Sequence, residues 1–124
     1  MVAISISRAC ASAAGANAPA TVIERASKAA EARADAVERL ELAYDWLEQQ
    51  LAGRQWATGG AFTLADCAAA PALFYADWTH RIPDTMPVLR GYRARLLARP
   101  SYARAVEEAR PYRELFPLGA PDRD

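Results

Sequence analysis

The sequence predicts an all-α fold, a bundle of about four helices. Two observations carry that prediction. One long run, from Thr21 to about Leu51, holds no Gly or Pro and is dominated by Ala, Glu, Arg and Leu, which favour helix. Beyond it, Gly and Pro cut the chain into pieces of helix length with short connections, and no segment alternates as a half-buried strand would. At 124 residues the chain is long enough to bury one core.

The first helix opens at "TVIE", where Thr21 is placed to cap and Glu24 to reach back to the cap amide. Val37, Leu40, Tyr44, Leu47 and Leu51 follow at spacings of three and four, one apolar stripe. Glu38, Arg39, Glu41, Asp45 and Glu48 fall largely off it. The helix is continuous or broken once near its start, and Gly53 stops it. "GRQWATGGA" reads as a turn, with Trp56 folded onto the core.

The second helix is expected from about Thr63 to Arg81, and its near-unbroken apolar content predicts burial on almost every side. Thr63 before the first turn and Asp66 at its third position form a capping box. Phe62 and Cys67 are placed as its hydrophobic staple. Pro71 interrupts the helix interior and implies a kink. Cys67 reads as a small core residue rather than a reactive thiol, and His80 as a partner of the terminal carbonyls. Pro87 suits the first turn of a third helix to about Ala98, with Val88, Leu89, Tyr92, Leu96 and Leu97 inward. "RPS" breaks it. Ser101 caps a short fourth helix through Glu108, with Tyr102, Ala105, Val106 and Ala109 on one face. The rest, "RPYRELFPLGAPDRD", reads as an irregular tail.

Several functions fall away on composition. Fifteen basic and fifteen acidic residues cancel, so no overall field recruits nucleic acid or an acidic membrane. No run reaches the length of about 18 apolar residues that marks a membrane span. Cys10 and Cys67 lack CxxC spacing, and the single His80 has no histidine partner, so no metal site is expected. Thr63 and Asp66 are no catalytic pair either, because no histidine lies near to act as base. From Arg81 to Arg104 there are six arginines against Asp84 alone. That face either meets phosphate or an acidic partner, or is simply solvated; no interleaved aromatics mark a nucleic-acid platform. Residues 1–20 hold small residues of the kind found at signal-peptide cleavage sites, but no basic n-region, and Arg8 interrupts the apolar part. They are expected to form a poorly ordered leader on a cytoplasmic protein.

"FTLADCAAAPALFYADW", preceded by "GRQWATGG" and followed by "RPSYARAVEEARPYRELFP", resembles the C-terminal helical domain of bacterial glutathione S-transferases. The resemblance covers residues 21–119, leaving 120–124 as a tail. The family's capping box and staple map onto Phe62, Thr63 and Asp66, and its "RPS" break onto Arg99, Pro100 and Ser101. The resemblance implies that the domain helps bind a hydrophobic electrophile for conjugation to glutathione. Tyr112, Leu115 and Phe116 are the tail candidates for that pocket, or else they merely pack the tail down. Family members carry a thioredoxin-like domain that binds glutathione, and nothing in this sequence resembles it. No catalytic or cofactor-binding residue is therefore carried over. The chain alone is expected to be inactive and to hold no cofactor, glutathione being the co-substrate of intact relatives. Implied partners are a thioredoxin-like domain, a second copy, or a hydrophobic small molecule. A non-catalytic helical adaptor or dimerisation module binding another protein is the alternative.

Overall fold

A computed structural model describes residues 20–124. The expected leader, Ala20 apart, and Cys10 lie outside the described residues. Four α-helices follow in order: α1 (Ala20–Gln50), α2 (Leu64–Thr79), α3 (Pro87–Leu97) and α4 (Pro100–Ala109). A 3-10 helix over Arg110–Leu115 succeeds them, where sequence pattern suggested only an irregular tail. Thr21 lies inside α1 rather than before it, and Glu24 pairs with Lys28 at 2.9 Å instead of reaching back to a cap.

The chain divides into two compact units between Glu38 and Arg39. In the first, the described residues are the opening of α1, unbroken, and all but Val37 are exposed. Local side-chain contacts support it, the Lys28 pair and a bond from the Ser27 hydroxyl to Glu31 at 3.3 Å.

The second unit holds the core. Tyr44 from α1, Leu51 just beyond its end, Ala70 and Leu73 from α2, Ile82, and Leu89, Tyr92 and Leu96 from α3 form one buried cluster. Leu40, Leu47, Trp56 and Phe62 pack against it partly buried, so the expected stripe from Leu40 onward and the inward Trp56 are in place. Gly53 ends the α1 turn at φ +73, a left-handed conformation that costs glycine nothing. Trp56 and Gly59 then exchange backbone bonds of 2.8 and 3.0 Å, which closes the loop tightly before α2.

α3 begins where its chemistry requires. Pro87 occupies the first turn and has no N–H to satisfy. The next two amides, of Val88 and Leu89, donate to the Glu48 carboxylate at 3.0 and 2.7 Å. Glu48 is thus half-buried and caps a helix far away in sequence, not a solvated residue off the stripe.

α2 corrects the expectation of burial on almost every side. Asp66, Ala70, Leu73, Phe74 and Asp77 face the core, but Leu64, Ala65, Cys67, Ala68, Pro71, Ala72 and Tyr75 are exposed. Hydrophobic composition reports that a helix suits apolar surroundings, not that this unit supplies them on both sides. Cys67 falls on the outer face, so it is an exposed free thiol and not a core residue. Pro71 also lies there, leaving the Cys67 carbonyl without its usual donor while the helix continues to Thr79.

Candidate functional site

The start of α2 is a knot of polar contacts. Thr63 and Asp66 adopt the reciprocal capping-box arrangement. The Thr63 N–H donates to Asp66 Oδ2 at 2.8 Å, and the Thr63 hydroxyl reaches the same oxygen at 3.3 Å. The other oxygen, Oδ1, accepts the Ala57 N–H at 2.8 Å and the Tyr92 hydroxyl at 2.7 Å. Asp66 therefore ties the preceding loop, the start of α2 and the middle of α3 together while wholly buried. Burial by itself pushes its carboxyl up, but the Ala57 and Thr63 amides with the Tyr92 and Thr63 hydroxyls outweigh it and hold the group below the ordinary carboxylate range. Burial, together with the same carboxylate, pushes the Tyr92 phenol strongly upward. Both carboxylate oxygens of the knot are thus engaged within the protein.

Phe62 sits beside this knot. Its ring meets Trp56 edge-on at 5.1 Å between centroids, and the Arg99 guanidinium lies 3.5 Å above it. That contact fastens the arginine before α4 to the loop before α2 and is a cation–π pair. His80 does not bond the terminal carbonyls of α2 through its ring. Its Nε2 lies 3.0 Å from Glu41, its ring stacks beside Tyr44, and its own carbonyl accepts the Tyr44 hydroxyl at 2.8 Å.

The ligand-sized concavity lies at the other end of α2. Trp78 lies four residues after Phe74 and three after Tyr75, and its ring meets theirs at 4.6 and 5.7 Å between centroids. Phe116 closes against them, stacked on Tyr75 at 5.7 Å and edge-on to Trp78 at 5.3 Å. Val106 and Ala109 of α4 and the 3-10 helix complete a groove of about 370 Å³. Tyr112 and Leu115 stand at its rim, 65% and 72% exposed. The Arg113 guanidinium covers the Trp78 ring at 5.2 Å. Trp78 Nε1 is buried with no hydrogen-bond partner.

All three tail residues singled out from sequence thus line one groove. The residues that sequence reasoning missed are its aromatic wall, Phe74, Tyr75 and Trp78, together with Arg113. Their signal was present as the aromatic cluster of α2, which pattern alone assigns to the core. The groove offers mainly apolar and aromatic surface, the character of a small-molecule site. Among the described residues, no three His, Cys, Asp or Glu side chains group as a metal site, and no helix is long and apolar enough to cross a membrane.

Comparison with known proteins bears on both features. A family model described as "Glutathione S-transferase, C-terminal domain" matches residues 30–95, which includes the capping knot and the aromatic wall of α2. Searches among curated proteins and among solved structures return no match.

Proposed function

This chain belongs to the glutathione S-transferase C-terminal domain family, and we propose that its aromatic groove receives the hydrophobic electrophile that such a domain presents for conjugation. The observation that carries the reading is the groove itself. Its volume of about 370 Å³ lies within the range of small-molecule sites, and its walls are mainly aromatic. The tail supplies Tyr112, Leu115 and Phe116 to it. Glutathione would come with a thioredoxin-like partner domain, since the described residues form only helices and place no acid–base pair in the groove. The chain alone then binds a planar apolar molecule without turning it over.

Titration with 2-naphthol, followed through the indole N–H resonance of Trp78, tests this reading. Saturable movement of that resonance is expected, with affinity weakened about two- to tenfold by Phe116→Ala, which keeps the Trp78 reporter, since one aromatic contact is worth about 0.5–1.5 kcal/mol. Movement of all indoles alike, or unchanged affinity in the variant, would count against the groove. Turnover of 1-chloro-2,4-dinitrobenzene with glutathione by the purified chain would show that it conjugates without a partner.

One observation favours a second reading, that of a non-catalytic adaptor or dimerisation module. The outer face of α2 is apolar and open, with Leu64 83% exposed, as interaction surfaces often are. Sedimentation across a concentration series decides it. Association abolished by Leu64→Glu supports the module; a monomer at every concentration, with no thioredoxin-like domain bound, removes it.

A further inference from the structure

The arginine excess of α3 reaches a second cavity, of about 210 Å³, away from the aromatic groove. Its walls carry the guanidiniums of Arg81, Arg90, Arg93 and Arg123 against the carboxylates of Asp77 and Asp124. The acids leave these arginines few oxygens. Asp77 is 6% exposed, and its Oδ1 accepts the Ile82 N–H at 2.9 Å. Asp124 is drawn to Arg110 at 2.7 Å and to Arg113. Asp84, just outside the cavity, pairs with both Arg81 and Arg90, but its side chain is 74% exposed. Exposed pairs of that kind contribute little and yield to a stronger anion.

Donors therefore outnumber acceptors. Arg93 shows it most clearly. Its side chain is 13% exposed, and among the described residues its one carboxylate partner is Asp77, whose Oδ2 lies 3.4 Å from Nη2. Its Nε and Nη2 atoms are buried and make no hydrogen bond among the described residues. A guanidinium carries more N–H donors than one distant carboxylate can take up, and buried donors left unmet are costly. Arg123 shares the same Asp77 oxygen at 3.4 Å. What the cavity lacks is a compact acceptor with several oxygens and more than one negative charge. A phosphate group has that form, and guanidiniums recognise it through paired N–H bonds.

We propose that this cavity, between the end of α2, α3 and the C-terminal residues, is a binding site for a phosphate dianion, free or as the monoester of a small molecule. The site is independent of the groove and of the conjugation reading. It accounts for three of the six arginines from Arg81 to Arg104, namely Arg81, Arg90 and Arg93, and it assigns Asp84 as the internal competitor that the dianion displaces.

The experiment is a thermal melting series with inorganic phosphate and with phenyl phosphate, against sodium chloride at equal ionic strength. A ligand bound by the folded chain alone raises Tm with the logarithm of its concentration. Saturable stabilisation is expected with phosphate and absent with chloride. Arg90→Gln and Arg123→Gln should each weaken the response, and Asp84→Asn should tighten apparent binding about two- to fivefold, the range of an exposed ion pair. Tighter binding of phenyl phosphate than of phosphate identifies a monoester as the ligand; equal or weaker binding identifies the free ion. Arg123 also contacts Asp77, so Arg90→Gln and Asp84→Asn, both at exposed positions, keep the test informative if Arg123→Gln fails to fold. A chloride response equal to that of phosphate, or phosphate stabilisation unchanged in Arg90→Gln and Asp84→Asn, overturns the proposal.

Discussion

Asp66 has no exposed surface, yet four donors converge on its two oxygens. That balance makes it a source of acid sensitivity. Its carboxyl is held below its unfolded value, so its stabilisation is complete above the unfolded value of about 4 and fades as pH falls through the folded one. Asp66→Asn should lower stability at neutral pH by about 2–3 kcal/mol, as expected for losing charged hydrogen bonds. The difference between variant and wild type should shrink as the pH is lowered. Urea melts across the acid range measure this; a constant difference would show that the charge is irrelevant. Tyr44 works at the opposite end. Burial, then the field of Asp77, pushes its phenol to about 12 against the partial opposition of Arg93. The contribution is full below the ordinary phenol value of about 10 and is lost as pH rises toward the folded value. Tyr44→Phe should therefore flatten the alkaline limb of the stability curve, at the cost of the bond to the His80 carbonyl. The capping pair was legible in sequence because its members are three residues apart; the Ala57 and Tyr92 donors were not, since loop and helix meet Asp66 only in the folded chain.

Among the elements, α3 shows how a helix can depend on a distant one. Its second and third amides have no partner within the helix, and Glu48 of α1 supplies both acceptors. Glu48→Ala should cost about 1–2 kcal/mol, the range of a lost cap, and Glu48→Gln less, because it keeps one acceptor oxygen but loses the charge that suits a helix start. Chemical denaturation of the two variants checks the order, and equal losses would reduce the role of charge to nothing. The boundaries of α3 were readable from Pro87 and the "RPS" break, since those are local backbone constraints. The cap was not, because Glu48 looks like any acid on a solvated face until the fold brings α3 to it. α2 presents the converse case. Its start was readable from Thr63 and Asp66, while its burial was overestimated, since alanine is compatible with a packed face and an open one alike. The groove followed the same division. Tyr112, Leu115 and Phe116 were reachable through family resemblance, whereas Phe74, Tyr75 and Trp78 read as core until their neighbours in space were known.

For the molecule as a whole, the uneven distribution of burial sets where the chain opens. In the second unit Tyr44 of α1 and Leu51 just beyond its end are 1% and 3% exposed, so this end of the helix is held by the core. In the first unit the described part of the same helix buries no side chain, and Val22 and Ile23 are 50% and 56% exposed. Helical hydrogen bonds alone give little stability in water, and most of a helix's stability comes from packing of one face. Opening a stretch without such packing costs far less than opening the core. Amide hydrogen exchange should therefore be fast over residues 22–36 and slow over residues 44–51, with the step falling close to Val37, the first partly buried position. Adding a thioredoxin-like domain or raising the protein concentration then becomes informative, because a partner that covers Val22 and Ile23 would slow exchange there and leave the core rates unchanged. Equal protection along all of α1 in the dilute chain would instead mean that its opening turns are covered by apolar surface from outside the described contacts, and that the exposed face is an interface already filled.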